Sequence, residues 1–217
     1  MKQLRLLSIK IMETFKKIYK AIFEEKLVEE MLSFGVFKSL KKGEHHVCKN
    51  SYMIGVPLMI SGALKILRED HDGHLVLYFI RPGETCSLTL INQTKRVKSD
   101  VCSVAQLDTE LLILPKEKSE EWMGKYPSWQ SFVLNTYQKR VHTLLELVDS
   151  FAFYKKEDRI LRYIKEKADV MKTAKLKYNH QQVADDLYSS RVVISRILKK
   201  LEEQGRVKLG RGIIEIL

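Results

Sequence analysis

Long apolar runs, signal-peptide features and paired cysteines are all missing from this chain of 217 residues. No stretch approaches the roughly 20 apolar residues of a membrane-spanning helix, which excludes a span and makes a cytoplasmic location the expectation. Residues 1–10 are basic and apolar by turns, with neither a signal-peptide core nor a small-residue cleavage site. Cysteine is scarce. Cys48, Cys86 and Cys102 form an odd, scattered set, which excludes a disulfide scaffold and suits reduced thiols. Glycine-rich phosphate loops, a nucleophile elbow and paired-carboxylate spacings are absent too, so nothing marks an enzyme. Apolar residues are not scarce, at 45%. That content argues against disorder and for one or two domains with a real core.

Acidic residues are outnumbered, 27 against 38 Lys and Arg, for a net charge of +11. The excess is uneven. Residues 151–217 hold 16 basic and 9 acidic residues, whereas residues 1–150 hold 22 and 18. A polyanion is the implied partner, with nucleic acid ahead of an anionic membrane surface. The basic amphipathic start could lie on a membrane. It is expected instead to pack on its own domain, without stable membrane association.

Periodicity divides the chain. Residues 1–33 read as helix, with Ile11, Phe15, Ile18 and Ile22 at three- and four-residue steps. Residues 36–115 read as short strands punctuated at Lys42-Gly43, Ser61-Gly62, Asp72-Gly73 and Arg81-Pro82-Gly83, with residues 69–74 as a polar loop. Evenly spaced short strands of this kind suggest an antiparallel barrel or sandwich. A short helix is expected over residues 116–125 and a long one over 128–150. In the long helix Trp129, Phe132, Val133, Tyr137, Val141, Leu144, Leu145 and Val148 cover more than one face. One side would pack on its own domain and the other on a partner chain, most simply a two-fold copy. Phe151-Ala152-Phe153 reads as an apolar hinge, residues 155–168 as a helix, and residues 171–177 as an irregular basic linker.

The strongest motif follows. Residues 179–202 read as two helices around a tight turn, with Asn179 and Gln182 as a capping box and Ser190 as the second N-cap. Val183, Ala184 and Leu187 face inward on the first helix, as do Ile194, Ile197, Leu198 and Leu201 on the second. The small Ala184 permits the close approach of a helix-turn-helix. In that motif the start of the second helix enters the major groove. Arg191 and Arg196 are then placed to reach guanine edges, and Lys199 and Lys200 to contact phosphates. Residues 207–216, with strand-forming ends around Gly210-Arg211-Gly212, read as the hairpin of a winged helix.

With this order of parts, residues 20–217 resemble the cAMP receptor protein / fumarate-nitrate regulator (CRP/FNR) family of bacterial transcription factors. The most specific stretches are Ser190-Arg191-Val192-Val193-Ile194-Ser195-Arg196-Ile197-Leu198-Lys199-Lys200-Leu201-Glu202 and Phe151-Ala152-Phe153. Gly62 and Arg81-Pro82-Gly83-Glu84 are similar to turns of the family's β-roll. The resemblance implies an α+β fold: a cyclic-nucleotide-binding-like β-roll sensor with N-terminal helices over residues 1–127, a dimerisation helix over 128–150, and a winged helix-turn-helix over 151–217. It implies a homodimer on pseudo-palindromic double-stranded DNA, with RNA polymerase as a further partner. Ser190, Arg191, Val192, Ser195, Arg196, Lys199 and Lys200 form the implied DNA-contacting set.

Departures from the family pattern carry information. Many members follow the first recognition arginine with Glu, which accepts from cytosine; here Val192 offers only an apolar contact. Tyr188 stands where many helix-turn-helix proteins have Gly. In the effector segment, Cys86 precedes Ser87-Leu88 where cAMP-binding members carry Gly-Glu, and Lys98-Ser99 stands for their Arg-Ser. Leu144-Leu145 replaces the polar pair that contacts adenine. Leu88 cannot accept a ribose hydrogen bond, so the pattern argues against cAMP. The pocket takes a less polar or differently shaped ligand, or side chains fill it and it binds nothing. No cofactor is implied. An iron–sulfur sensor of this family needs an N-terminal cysteine cluster, and no Cys precedes Cys48. The alternatives weighed beside this are a haem-based sensor using His45, His46, His71 or His74, a thiol-based sensor using Cys86, and a cupin-like metal enzyme. A sequence-independent DNA-packaging protein is disfavoured by the β-roll.

Overall fold

A computed structural model describes residues 2–71, 73–90, 98–152 and 154–217. In chain order the elements are α1 (Lys2–Tyr19), α2 (Glu25–Phe34), β1 (Val36–Leu40), β2 (His45–Val47), β3 (Val56–Ser61), β4 (Leu64–Asp70), β5 (Gly73–Ile80), α3 (Ser87–Leu90), β6 (Cys102–Ala105), β7 (Thr109–Leu114), α4 (Lys116–Lys125), α5 (Pro127–Ala152), α6 (Lys156–Met171), β8 (Lys175–Lys177), α7 (His180–Asp186), α8 (Arg191–Glu203), β9 (Val207–Gly210) and β10 (Ile213–Ile216). The chain divides into two compact units, residues 1–66 with 79–142, and residues 67–78 with 143–217.

The expected antiparallel roll is present, and the parts of β4 and β5 within residues 67–78 are counted in the second unit. One sheet has the order β1-β7-β3, and β2-β6-β4-β5 forms the other. β7 is buried because it is central, pairing Val36↔Ile113 on one side and Val56↔Leu114 on the other. Pro57 is tolerated on β3 because that strand is an edge. Gly62 turns the chain at φ +81, where an added Cβ would lie 2.5 Å from the Asp108 carbonyl oxygen. Only glycine fits this bend.

Helices close the roll over an aromatic core. Phe15 and Tyr19 of α1, Leu27 and Met31 of α2, and Trp122 and Trp129 are fully buried together with Leu58 and Leu112 of the sheet. The expected single helix over residues 1–33 is in fact two. The break after Tyr19 lets Phe23 stack on the Tyr19 ring, so residues on both sides of it reach one core. The Tyr19 hydroxyl donates to the Met59 carbonyl at 2.8 Å, and burial holds it neutral far above the ordinary tyrosine range. Glu30 ties α2 to α4 by accepting from Lys125, Trp122 and Tyr126; these partners hold its carboxyl down at about 2.

The second unit holds α6, α7, α8 and the sheet β8-β10-β9. Here too the structure corrects the sequence expectations. Residues 171–177 contain β8, a third strand paired along Ile213↔Lys177, in place of a wholly irregular linker. The polar loop over 69–74 is shorter, since β4 runs to Asp70 and β5 begins at Gly73. Asp72 of the expected turn lies outside the described residues. Phe151 and Ala152 continue α5 rather than forming a hinge, and Phe153 also lies outside the described residues.

Candidate nucleic-acid interface

Local chemistry fixes both helices of the expected motif. The Asn179 side chain accepts from the Gln182 amide at 2.9 Å, while the Gln182 side chain accepts from the Asn179 amide at 2.9 Å. This reciprocal pair satisfies two of the unpaired donors at the start of α7. Ser190 Oγ caps α8 by accepting from the Val193 amide. Between the helices, Ser189 N donates to the Ala184 carbonyl at 2.9 Å, and Ala184 is fully buried. Tyr188 supplies the left-handed turn at φ 50. A non-glycine residue costs about 1–2 kcal/mol there, so the turn forms because the packing around it outweighs that strain.

Helix α8 is amphipathic across its whole length. Ile194, Ile197, Leu198 and Leu201 are buried, whereas Arg191, Val192, Arg196, Lys199 and Lys200 are exposed. Ser195 is half-buried, its Oγ 2.9 Å from His180 Nδ1 at the start of α7. Burial and the adjacent Arg191 charge hold the His180 imidazole below its usual pKa, so near neutral pH it is an uncharged partner for that hydroxyl. Lys200 donates to Glu157 of α6 at 2.7 Å and so is held on the α6 side. The wing strands β9 and β10 pair from Val207↔Ile216 to Gly210↔Ile213. Between the wing and the starts of α7 and α8 opens a recess of about 350 Å³, lined by Tyr178, Asn179, His180, Gln181, Arg191 and the backbone of Gly210 and Gly212.

A buried polar network supports the motif, and sequence reasoning misses it. Asp186, at the end of α7, is 2% exposed. Its carboxylate meets His74 Nε2 at 2.7 Å and Lys167 Nζ at 3.4 Å, and accepts from the hydroxyls of Tyr163 and Tyr178. Burial first, then the neighbouring hydroxyl and carboxylate, pushes Tyr163 well above its ordinary pKa; burial and the Asp186 charge do the same for Tyr178. Beside this network Leu75 of β5 bridges to Leu187. His74, the pair Tyr163 and Lys167, and the pair Tyr178 and Asp186 come from three separate stretches of the chain, so no single spacing signals the cluster.

The effector-segment residues are placed as follows. Cys86, Ser87 and Ser99 are buried, Leu88 is half-buried and Lys98 is exposed. Cys86 and Ser99 line the roll interior with Met53, Leu64, Ile66 and Ile80, around a cavity of only about 10 Å³. That volume holds about one water molecule. Ser87, Leu88 and Lys98 do not line it. On α5, Leu134, Val141, Leu144, Leu145 and Val148 are exposed apolar side chains. A larger recess of about 460 Å³ runs along the first half of α5, lined by Ser131, Asn135, Thr136, Lys139 and Arg140, with Lys139 donating to Glu84. Among the described residues no group of three His, Cys, Asp or Glu could hold a metal ion, and no helix is long and apolar enough to cross a membrane.

A β-roll, a long helix and a winged helix-turn-helix with a basic outer face follow one another along the chain. Residues 139–217 match the Crp-like helix-turn-helix domain family. No curated protein matches the sequence. Among solved structures the chain is similar to a protein described as a transcriptional regulator of the crp/fnr family from Eubacterium rectale, at 24% identity and a TM-score of 0.77, over 92% of this chain and 93% of that one. It is also similar to the c-di-GMP responsive global regulator CLP of Xanthomonas campestris, at 18% identity and a TM-score of 0.74, over 87% of this chain and 97% of that one. A CRP/FNR-family transcriptional regulator from Thermus thermophilus matches at 17% identity and a TM-score of 0.68, over 84% and 93% of the two chains. The chain therefore carries a Crp-like helix-turn-helix domain at residues 139–217 and has the CRP/FNR fold.

Proposed function

We propose that this protein is a sequence-specific transcription regulator that binds a pseudo-palindromic operator as a homodimer. The observation that carries the reading is α8: a capped helix with four buried aliphatic side chains and Arg191, Val192, Arg196 and Lys199 on its open face. Arg191 and Arg196 read guanine edges, Val192 offers an apolar contact to a thymine methyl, and Lys199 neutralises phosphate. Residues 1–127 serve as the sensor, 128–150 as the pairing helix and 151–217 as the reader. The exposed Val141, Leu144, Leu145 and Val148 support pairing, because two copies of α5 would bury them against each other. RNA polymerase is the downstream partner. The filled roll interior supports a regulator that does not take cAMP there.

A binding selection from random duplexes tests this. It should return an inverted repeat whose half-sites differ from the cAMP-receptor consensus at the base pair facing Val192. Recovery of no consensus would overturn sequence-specific binding, and recovery of the unchanged consensus would overturn the role given to Val192.

A further inference from the structure

The end of the β2–β6 ladder brings two of the three cysteines together. Val47 pairs with Ser103, and further along Tyr52 bridges to Lys98 in the same register. Between them Asn50 N donates to the Ser99 carbonyl and Ser99 N to the Ser51 carbonyl. The ladder ends at Val47↔Ser103 and the chain turns at residues 48–51, with Ser51 N donating to the Cys48 carbonyl at 3.0 Å, so Cys48 and Cys102 are the residues just beyond that last pair on the two strands.

Side-chain direction agrees. Val101 and Ser103 line the roll interior, so alternation along β6 turns Cys102 away from it, toward the turn at residues 48–51. Lys49 N donates to Cys102 Sγ at 3.1 Å, which lays the turn at residues 48–51 over that sulfur. Cys48 Sγ lies 3.6 Å from His45 Nδ1. Cys48 is exposed while Cys86 and Cys102 are buried, so a dissolved oxidant meets Cys48 first.

We propose that Cys48 is a peroxide-reactive thiol that Cys102 resolves into a reversible cross-strand disulfide. The His45 imidazole takes the Cys48 proton, and the thiolate attacks the terminal oxygen of a hydroperoxide. The S–O bond forms as the O–O bond breaks, and the departing alkoxide or hydroxide takes the proton back from His45. The sulfur of Cys102 then attacks the Cys48 sulfenic acid. The S–S bond forms, the S–O bond breaks, and hydroxide leaves with the Cys102 proton as water. Two thiols are oxidised and one peroxide is reduced; a small dithiol reverses the bridge by exchange. The closed bridge pins residues 48–51 across from Lys98 and Ser99, at the rim of the roll. This chemistry stands apart from Cys86, whose burial inside the roll keeps it from the oxidant, and it does not depend on DNA binding.

The test treats the reduced full-length protein with equimolar hydrogen peroxide, alkylates it, and maps the peptides without reduction. A Cys48–Cys102 peptide that dithiothreitol removes is expected, with Cys86 alkylated throughout. Cys102→Ser should instead accumulate a Cys48 sulfenic acid that dimedone traps, and His45→Asn should slow loss of the Cys48 thiol several-fold with unchanged circular dichroism. Bridges through Cys86, bridges between chains, or Cys48 reacting no faster than Cys86 would each overturn the proposal.

Discussion

At the scale of single residues, the outer face of α8 separates two kinds of contact. A planar guanidinium can engage a guanine edge with two hydrogen bonds, whereas an ammonium is a point charge that finds phosphate. Arg191→Ala or Arg196→Ala should each cost about 1–3 kcal/mol on the selected operator and relax specificity at one base pair per half-site. Lys199→Ala should weaken all sequences alike and lower the salt slope by about 1. The ion pair of Lys200 with Glu157 predicts a smaller effect for Lys200→Ala. Titrations of matched and mismatched duplexes at several salt concentrations check this, and identical behaviour of the arginine and lysine variants would contradict it.

His46 couples the stability of the roll to pH. Burial, reinforced by the Lys38 charge, lowers its pKa from 6.5 to about 4, and its Nδ1 lies 3.3 Å from Lys38 Nζ. The folded protein thus resists a proton that the unfolded chain accepts. The associated stability is complete above pH 6.5 and is lost as pH falls toward 4, about 3 kcal/mol across the window. Urea denaturation at pH 7 and pH 4 should show this loss in the wild type, and His46→Gln should remove its share. An unchanged pH dependence in the variant would contradict the assignment.

At the scale of elements, the helix-turn-helix is the most legible part of the sequence because its signals are local. Asn179 and Gln182 sit three residues apart, Ser190 opens α8, and the aliphatic side chains of α8 recur at helical steps. What is not legible depends on distant partners. Asp186 follows Asp185 at the end of a short helix and reads as solvated, yet α7 packs it against His74, Tyr163, Lys167 and Tyr178. Tyr188 looks wrong for a left-handed turn until its neighbours are in place. β8 is only three residues long and exists because β10 offers it an edge. The break between α1 and α2 is likewise hidden, since the apolar period continues through it. Asp186→Ala leaves Lys167 buried without its carboxylate and should destabilise the second unit by about 3–5 kcal/mol. Hydrogen exchange should show lost protection in α6 and α7; unaltered protection there would contradict a structural role for the network.

At the scale of the whole molecule, the net charge of +11 names a class of partner without naming a stoichiometry. In the proposed dimer, the exposed apolar side chains of α5 set it at two. Val141→Glu combined with Val148→Glu should give a folded monomer by light scattering, with operator affinity reduced by about 100-fold or more because one half-site no longer tethers the other. A dimer that survives both charges would place the interface elsewhere. In the proposed complex, two copies of α8 read two adjacent major grooves of one duplex. Hydroxyl-radical and methylation footprinting of the wild-type protein on its selected operator tests it most directly. Two protected major-groove segments about 10 base pairs apart are expected, with guanine protection lost in Arg191→Ala and Arg196→Ala. A single protected segment, or protection that ignores sequence and both arginines, would contradict it.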